Sequence, residues 1–232
     1  MHVAVILPRW VGDAVMATPL LRGLRSHFGA SARITGVLRP VVADLLADSG
    51  WFDACILYDR HSRKPDRCFS AAVRGLRADP VDVAFVLPDS ASAAAVAWCA
   101  GARRRIGIGS GLHRLLLTDA LPAAARAETV PPPVAFLRIG AALGLPPQPT
   151  HLELAVSAAD ERRGDETLAR LFPGQDGPLV ILNDNSANGV TRAWGAENHA
   201  ALSRWLVARV PGCRVLMHCG PDDRATAAAV VT

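Results

Sequence analysis

Apolar and polar positions alternate along this chain in a coarse rhythm rather than residue by residue. Short unbroken apolar runs stand at Val3–Leu7, Val81–Leu87 and Leu179–Leu182. Runs of that length, rich in β-branched residues and lacking alternation, read as strands buried on both faces. Further strands are predicted at Ala32–Val37, Ala54–Leu57, Arg105–Ile108, Leu115–Leu117, Leu152–Val156 and Arg214–His218. Between them lie stretches with helical spacing, such as Leu20, Leu21, Leu24 and Phe28. The first of these helices starts either at Thr18-Pro19, as N-cap and first position, or near Asp13 with a kink at Pro19. Helices are also predicted over Pro40–Ala47, Phe69–Leu76, Asp89-Ser90 to Cys99, Val134–Leu143, Ala158–Leu171, Ala196–Arg209 and Arg224–Val231. Strands alternating with helices predict an α/β fold with a parallel, doubly wound sheet.

The rhythm pauses and restarts. Pro173-Gly174-Gln175-Asp176-Gly177-Pro178 is punctuated by proline and glycine, and the Leu179 run then resembles the Val3 run. The expected organisation is an N-terminal domain over 1–173, a linker over 174–178 and a second α/β region over 179–232. That region is short beside the ~100–150 residues of a common domain, so it is expected to be the first part of a second domain.

Composition adds bounds. Half of the 232 residues are hydrophobic and 20% are charged, which excludes a disordered chain and predicts a sizeable core. The formal charge is +4, and Lys64 is the sole lysine among 25 basic residues. Such a balance suits an anionic partner. Nucleic acid is not expected, because no recognised binding motif accompanies the charge. Cys55, Cys68, Cys99, Cys213 and Cys219 are scattered without a CxxC pair or metal spacing, so buried reduced thiols are expected. No segment approaches ~18 consecutive apolar residues, and the N-terminus lacks the pattern of a signal peptide. A cytoplasmic location is expected.

Four stretches could carry chemistry. Asp13 follows the first strand, at the sheet edge where open α/β proteins place their ligands. It reads either as a helix cap or as a general base. Arg60, His61, Arg63, Lys64 and Arg67 form a basic loop after the third strand, either a solvated surface or an anion site. Asp89-Ser90 reads as a helix cap that can also line a pocket. The polar loop from Asn183 to Trp194 is either a plain connection or a phosphate-holding loop. Gly107-Ile108-Gly109-Ser110-Gly111 echoes part of a dinucleotide fingerprint, but no third glycine, helix or acidic partner follows in place, so it reads as a flexible loop.

The run Val11-Gly12-Asp13-Ala14-Val15-Met16-Ala17-Thr18-Pro19 resembles the start of the ADP-heptose:lipopolysaccharide heptosyltransferases, glycosyltransferase family 9. Val86-Leu87-Pro88-Asp89-Ser90 is similar to the family's Leu-Pro-Asn-Ser strand end. Ala100-Gly101 with Arg105-Ile106-Gly107, and Arg114-Leu115-Leu116-Leu117, are similar to the segments that follow it. Gly189, Thr191, Arg192 and Trp194 fall where the family has its Pro-Gly-Ala…Lys-x-Trp-Pro loop, with Arg192 in place of Lys, Asp184-Asn185 in place of Pro-Gly and Gly195 in place of the closing Pro.

The resemblance implies a GT-B-like fold of two Rossmann-like doubly wound domains, the second incomplete here. It implies inverting, metal-independent transfer of a heptose or related sugar from an ADP-sugar to an inner-core lipopolysaccharide acceptor. Asp13 would be the catalytic base. Arg60, Arg63, Lys64, Asp89 and Ser90 would bind the acceptor, and Gly189, Thr191 and Arg192 the donor. The nucleotide-diphosphate sugar would be substrate, with no separate cofactor. The acceptor would be an anionic lipid-linked glycan, met at the inner membrane face. The family's Asp-Ser-Gly-x-x-His segment would lie past Thr232, so the chain alone is expected to turn over little. The alternative is a truncated or decayed transferase that binds anionic glycan or nucleotide without turnover.

Overall fold

The computed structural model describes residues 1–122, 130–183, 194–220, 224 and 227–228. The chain divides into two compact units, Met1–Ser157 and Ala158–Thr232. This division falls ahead of the Pro173–Pro178 stretch and assigns the Ala158–Leu171 helix to the second unit.

The first unit is built on a six-stranded parallel sheet. Its strands are β1 (His2–Ile6), β2 (Arg33–Leu38), β3 (Ala54–Leu57), β4 (Val83–Val86), β5 (Arg104–Gly109) and β6 (Asp119–Pro122). They lie side by side in the order β3-β2-β1-β4-β5-β6. The helices among the described residues begin, in chain order, with α1 (Val11–Met16), α2 (Thr18–Phe28), α3 (Pro40–Leu46), α4 (Phe69–Arg77), α5 (Ala91–Cys99), α6 (Pro132–Ala141) and, in the second unit, α7 (Ala158–Leu171).

Why β1 carries an unbroken apolar run is visible in its neighbours. Val3, Val5 and Leu7 belong to one core cluster, with Leu20, Leu21 and Leu24 of α2 and Ile139 of α6. Ala4 and Ile6 point the other way, into a second cluster with Ala72 and Leu76 of α4 and Val96 of α5. β4 repeats the split, with Phe85 on the first side and Ala84 and Val86 on the second. Both faces are covered, so the run is apolar, and the buried polar pair at its start, His2 and Thr35 of β2, is hydrogen-bonded at 2.8 Å.

Two glycines set close approaches. A Cβ on Gly107 of β5 would sit 2.6 Å from the carbonyl oxygen of Val86. One on Gly140 of α6 would sit 2.7 Å from Cδ1 of Leu20, so the bare backbone of α6 rests on that leucine of α2.

Several local expectations need correction. The helix after β1 is two helices with Ala17 between them; Thr18 does not cap, and its hydroxyl donates to the Val15 carbonyl at 2.8 Å. Leu115–Leu117 is not a strand. Gly111–Leu116 is a 3-10 helix, and the last strand is Asp119–Pro122. The Gly107–Gly111 stretch is therefore strand up to Gly109 and helical from Gly111, not a flexible loop. Leu152–Val156 joins no sheet. It runs extended beside α2, with Arg22 reaching the Pro149 and His151 carbonyls and Glu153, and with the Glu153 amide donating to Thr18. The cysteines are free, but only Cys213 is buried; Cys55 is exposed and Cys68, Cys99 and Cys219 lie between.

The second unit pairs β7 (Leu179–Asn183) with β8 (Arg214–His218) in parallel, Leu179 opposite Arg214 and Asn183 opposite His218. α7 has no buried residue, and α8 (Ala196–Arg209) buries His199 and Ala200. A Cβ on Gly177 would overlap the Gly212 carbonyl, so the turn before β7 requires glycine. The two sheets match the GT-B-like, doubly wound arrangement, with the second much the smaller among the described residues. The predicted helix over Arg224–Val231 lies largely outside the described residues.

Candidate functional site

In the order β3-β2-β1-β4-β5-β6, chain connections leave β1 in one direction and β4 in the other. The loops after these two strands therefore part and leave a crevice at the carboxyl edge of the sheet. Two clefts open there, both within the first unit.

The first holds about 250 Å³. The turn after β1 gives it Pro8, Arg9, Trp10 and Asp13, and the end of β4 gives Pro88 and Asp89. Ala135 and Phe136 of α6 form an apolar wall. Asp13 is the third residue of α1, whose N-cap position is Trp10 and carries no side-chain cap, so Asp13 does not cap this helix. Its side chain is half-buried at the cleft wall. Among the described residues no hydrogen bond or ion pair engages its carboxylate. A carboxylate in the first helical turn is also stabilised by the helix dipole.

Asp89, on the opposite wall, is spoken for. Its Oδ1 accepts from the His113 Nε2 at 2.7 Å, the Ser110 hydroxyl at 3.0 Å and the Ser110 amide at 3.2 Å. Burial pushes this carboxyl up, but the hydrogen bonds from His113 and Ser110 outweigh it and hold the group below the usual carboxylate range. Asp89 thus pins the 3-10 segment after β5 to the end of β4. Ser90 is the cap: its Oγ accepts from the Ala93 amide at 3.3 Å and starts α5. Asp89 lines the first cleft, whereas Ser90 faces the second.

The second cleft, about 210 Å³, lies over the ends of β1, β2 and β3. Each of these strands is followed by an arginine that lines it: Arg9, Arg39 and Arg60. Tyr58, Asp59, His61, Ser90 and Ser92 complete its polar surface. Asp59 organises it, with Oδ2 accepting from Arg39 Nε at 3.1 Å and Oδ1 from the His61 amide at 3.1 Å. Burial opposes ionisation of Asp59, yet the His61 amide and the Arg39 guanidinium keep its carboxyl below the usual range. Burial pushes the Tyr58 phenol up.

Of the basic loop expected to bind acceptor, Arg60 reaches this cleft, while Arg63 and Lys64 are exposed and line neither cleft. Gly189, Thr191 and Arg192 lie outside the described residues. Sequence reasoning missed Arg9, Arg39 and His113. For the two arginines a signal existed, namely a cation immediately past a predicted strand end, repeated at adjacent strands. Among the described residues no three His, Cys, Asp or Glu side chains gather as a metal site requires. No helix among them is long and apolar enough to cross a membrane.

The chain resembles known structures throughout. A glycosyltransferase family 9 protein from Veillonella parvula aligns over 99% of this chain and 65% of its own, at 19% identity and a TM-score of 0.83. ADP-heptose lipopolysaccharide heptosyltransferase II of E. coli aligns over 100% of this chain and 68% of its own, at 23% identity and a TM-score of 0.75. A second E. coli heptosyltransferase, solved with ADP, aligns over 100% and 72%, at 16% identity and a TM-score of 0.70. The chain therefore spans about two thirds of the length of these proteins. No curated protein sequence matches it significantly. The profile of glycosyltransferase family 9 (heptosyltransferase) matches residues 70–232, more than half of the chain. Through that match the chain belongs to glycosyltransferase family 9.

Proposed function

We propose that this chain supplies the acceptor half and the catalytic base of an inverting, metal-independent glycosyltransferase. The reaction moves a heptose or related sugar from an ADP-sugar to an anionic, lipid-linked lipopolysaccharide acceptor, at the inner face of a membrane. The observation that carries the reading is Asp13, a half-buried carboxylate on a cleft wall with no partner among the described residues. An acceptor hydroxyl is a poor nucleophile at neutral pH. Asp13 takes its proton as the new carbon–oxygen bond forms, a contribution of roughly 10²–10⁴-fold. The opposite carboxylate, Asp89, is tied to His113 and Ser110 and shapes the wall rather than moving a proton. The acceptor's anionic groups lie toward the second cleft and Arg60, with Arg63 and Lys64 meeting outlying charge. Thr191, Arg192 and the Gly189 backbone bind the donor diphosphate and stabilise the charge that grows on it.

The test is Asp13→Asn in a version extended to the full length of the relatives. Transfer from ADP-heptose falls by about 10²-fold or more, with the thermal melt unchanged. Near-normal turnover by a folded Asp13→Asn variant removes Asp13 as base. A second reading, glycan binding without turnover, is favoured by the thin core of the second unit, where α7 buries nothing. It predicts that the extended version, too, binds acceptor and transfers no sugar.

A further inference from the structure

Two residues, Arg9 and Pro88, line both clefts, and Arg9 is the one with a charged side chain; the reading above gives it no role. Its guanidinium lies over the Trp10 ring, 4.6 Å from the centroid. Stacking fixes the plane of the group and leaves its in-plane N–H edge available. That edge meets His61, whose Nε2 accepts from Arg9 Nη1 at 3.4 Å and from Arg60 Nε at 2.9 Å. The imidazole is therefore the neutral tautomer with the proton on Nδ1. Nε2 then offers one lone pair to two cations. Arg60 takes it at normal length, and Arg9 is left with a long, weak contact. Among the described residues neither Arg9 nor Arg60 has a carboxylate partner. Asp59, the carboxylate lining the same second cleft, is engaged by Arg39 and by the His61 amide.

The frame behind the pair is hydrogen-bonded. Arg39 Nη1 donates to the Arg9 carbonyl at 3.3 Å while its Nε holds Asp59, and Asp59 in turn holds the His61 backbone. The main chain at Arg9 and at His61 is thus held from behind, while the two like-charged guanidinia converge on one weak acceptor beside a cleft whose other lining includes Leu7, Leu38 and Ala93. An oxyanion offers several lone pairs where the imidazole offers one, so it displaces the imidazole from both arginines and gains charge-assisted hydrogen bonds.

We propose that Arg9 and Arg60, gathered on His61, form a receptor for one phosphate or carboxylate group borne on a sugar, and that Arg9 selects which anionic sugars can present a hydroxyl to Asp13. This rests on the acceptor reading of the same sheet edge. Arg9 is the specificity-determining member because, of the two arginines, it is the one that lines both clefts. Arg60 supplies the second cation, and His61 holds the two forks in place until the anion takes over.

The intact 232-residue protein is titrated calorimetrically with mannose 6-phosphate, glucuronate and neutral mannose. The His61 ring nitrogens are followed by NMR in the same titrations. At least one of the two anionic sugars binds and mannose does not, and the two arms distinguish phosphate from carboxylate. The His61 Nε2 signal moves with the binding curve, because its hydrogen bonds from Arg9 and Arg60 are exchanged. Arg9→Ser weakens binding by about tenfold or more with an unchanged melt. Arg9→Lys, which keeps the charge and loses the fork, gives an intermediate loss. Arg74→Ser, an exposed cation of α4 that lines neither cleft, stays within about twofold of the parent. Undiminished binding by Arg9→Ser, with loss in an Arg63→Ser/Lys64→Ser double variant, overturns this assignment and leaves the acceptor reading standing. Failure of the unaltered protein to bind either anionic sugar overturns both.

Discussion

Two strands in this chain look alike on paper and live differently. Val3–Leu7 and Leu179–Leu182 are both short, β-branched and unbroken. In the first unit the run sits between two layers of helices, and Val5 is 0% exposed. In the second, Ile181 is 58% exposed. The same local pattern makes a strand in both places, because strand propensity is a property of the segment. Burial is a property of what lies on either side. The first unit shows two core clusters; α7 of the second shows no buried residue at all. Stability should follow the layers and not the pattern.

The largest effect expected from that contrast is in paired truncations. Leu24→Ala, at a fully buried position of α2, should cost about 2–5 kcal/mol, while Ile181→Ala should cost under about 1 kcal/mol. Denaturant melts of the two variants measure both, and equal losses would break the contrast. A smaller effect is expected from acid. Asp53, Asp59, Asp82, Asp89 and Asp119, all in the first unit, have carboxyls held below their ordinary range. Burial opposes this at Asp53, Asp59 and Asp89 and is overcome by hydrogen bonds, whereas the His2 amide at Asp82 and Arg104 at Asp119 are the foremost causes. The folded state thus binds fewer protons than the unfolded chain around pH 4. Stability from these groups is complete above that window and lost as pH falls through the lowered values. Melts of the first unit between pH 7 and pH 3 should show a steady decline, shallower in Asp89→Asn. The smallest effect is at the thiols. The Ser70 hydroxyl and the amides opening α4 pull the Cys68 thiol down, while the protein packed around Cys55, though the residue is exposed, desolvates its thiol and pushes it up. Cys68 should therefore alkylate faster than Cys55 at neutral pH, as mass spectrometry of peptides can follow.

Much of the first unit was legible because its strands must be apolar on both faces, which leaves long marks in the sequence. Ala54–Leu57, Arg214–His218, Ala158–Leu171 and Ala196–Arg209 are observed with the expected bounds. The errors share a cause. Leu152–Val156 alternates like a strand, yet it has no ladder to join and instead satisfies Arg22 and Thr18. The true edge strand, Asp119–Pro122, hides behind an Asp and a Pro that a central strand would exclude. The rim of the site was legible in part. Asp13 and Arg60 stand out by their place after strands and by family resemblance. Arg9 and Arg39 do not, because one arginine is inconspicuous among 25 basic residues until the sheet order sets three strand ends side by side.

The contact of Gly140 with Leu20 reaches further than packing. The helix that carries Gly140 also carries Ala135 and Phe136, which wall the cleft of Asp13. The approach of two helices at Gly140 thus bears on the same helix that walls the cleft. A single methyl group added there, Gly140→Ala, would press on Cδ1 of Leu20, and whatever part of that pressure the leucine does not absorb falls on the helix that bears the aromatic wall.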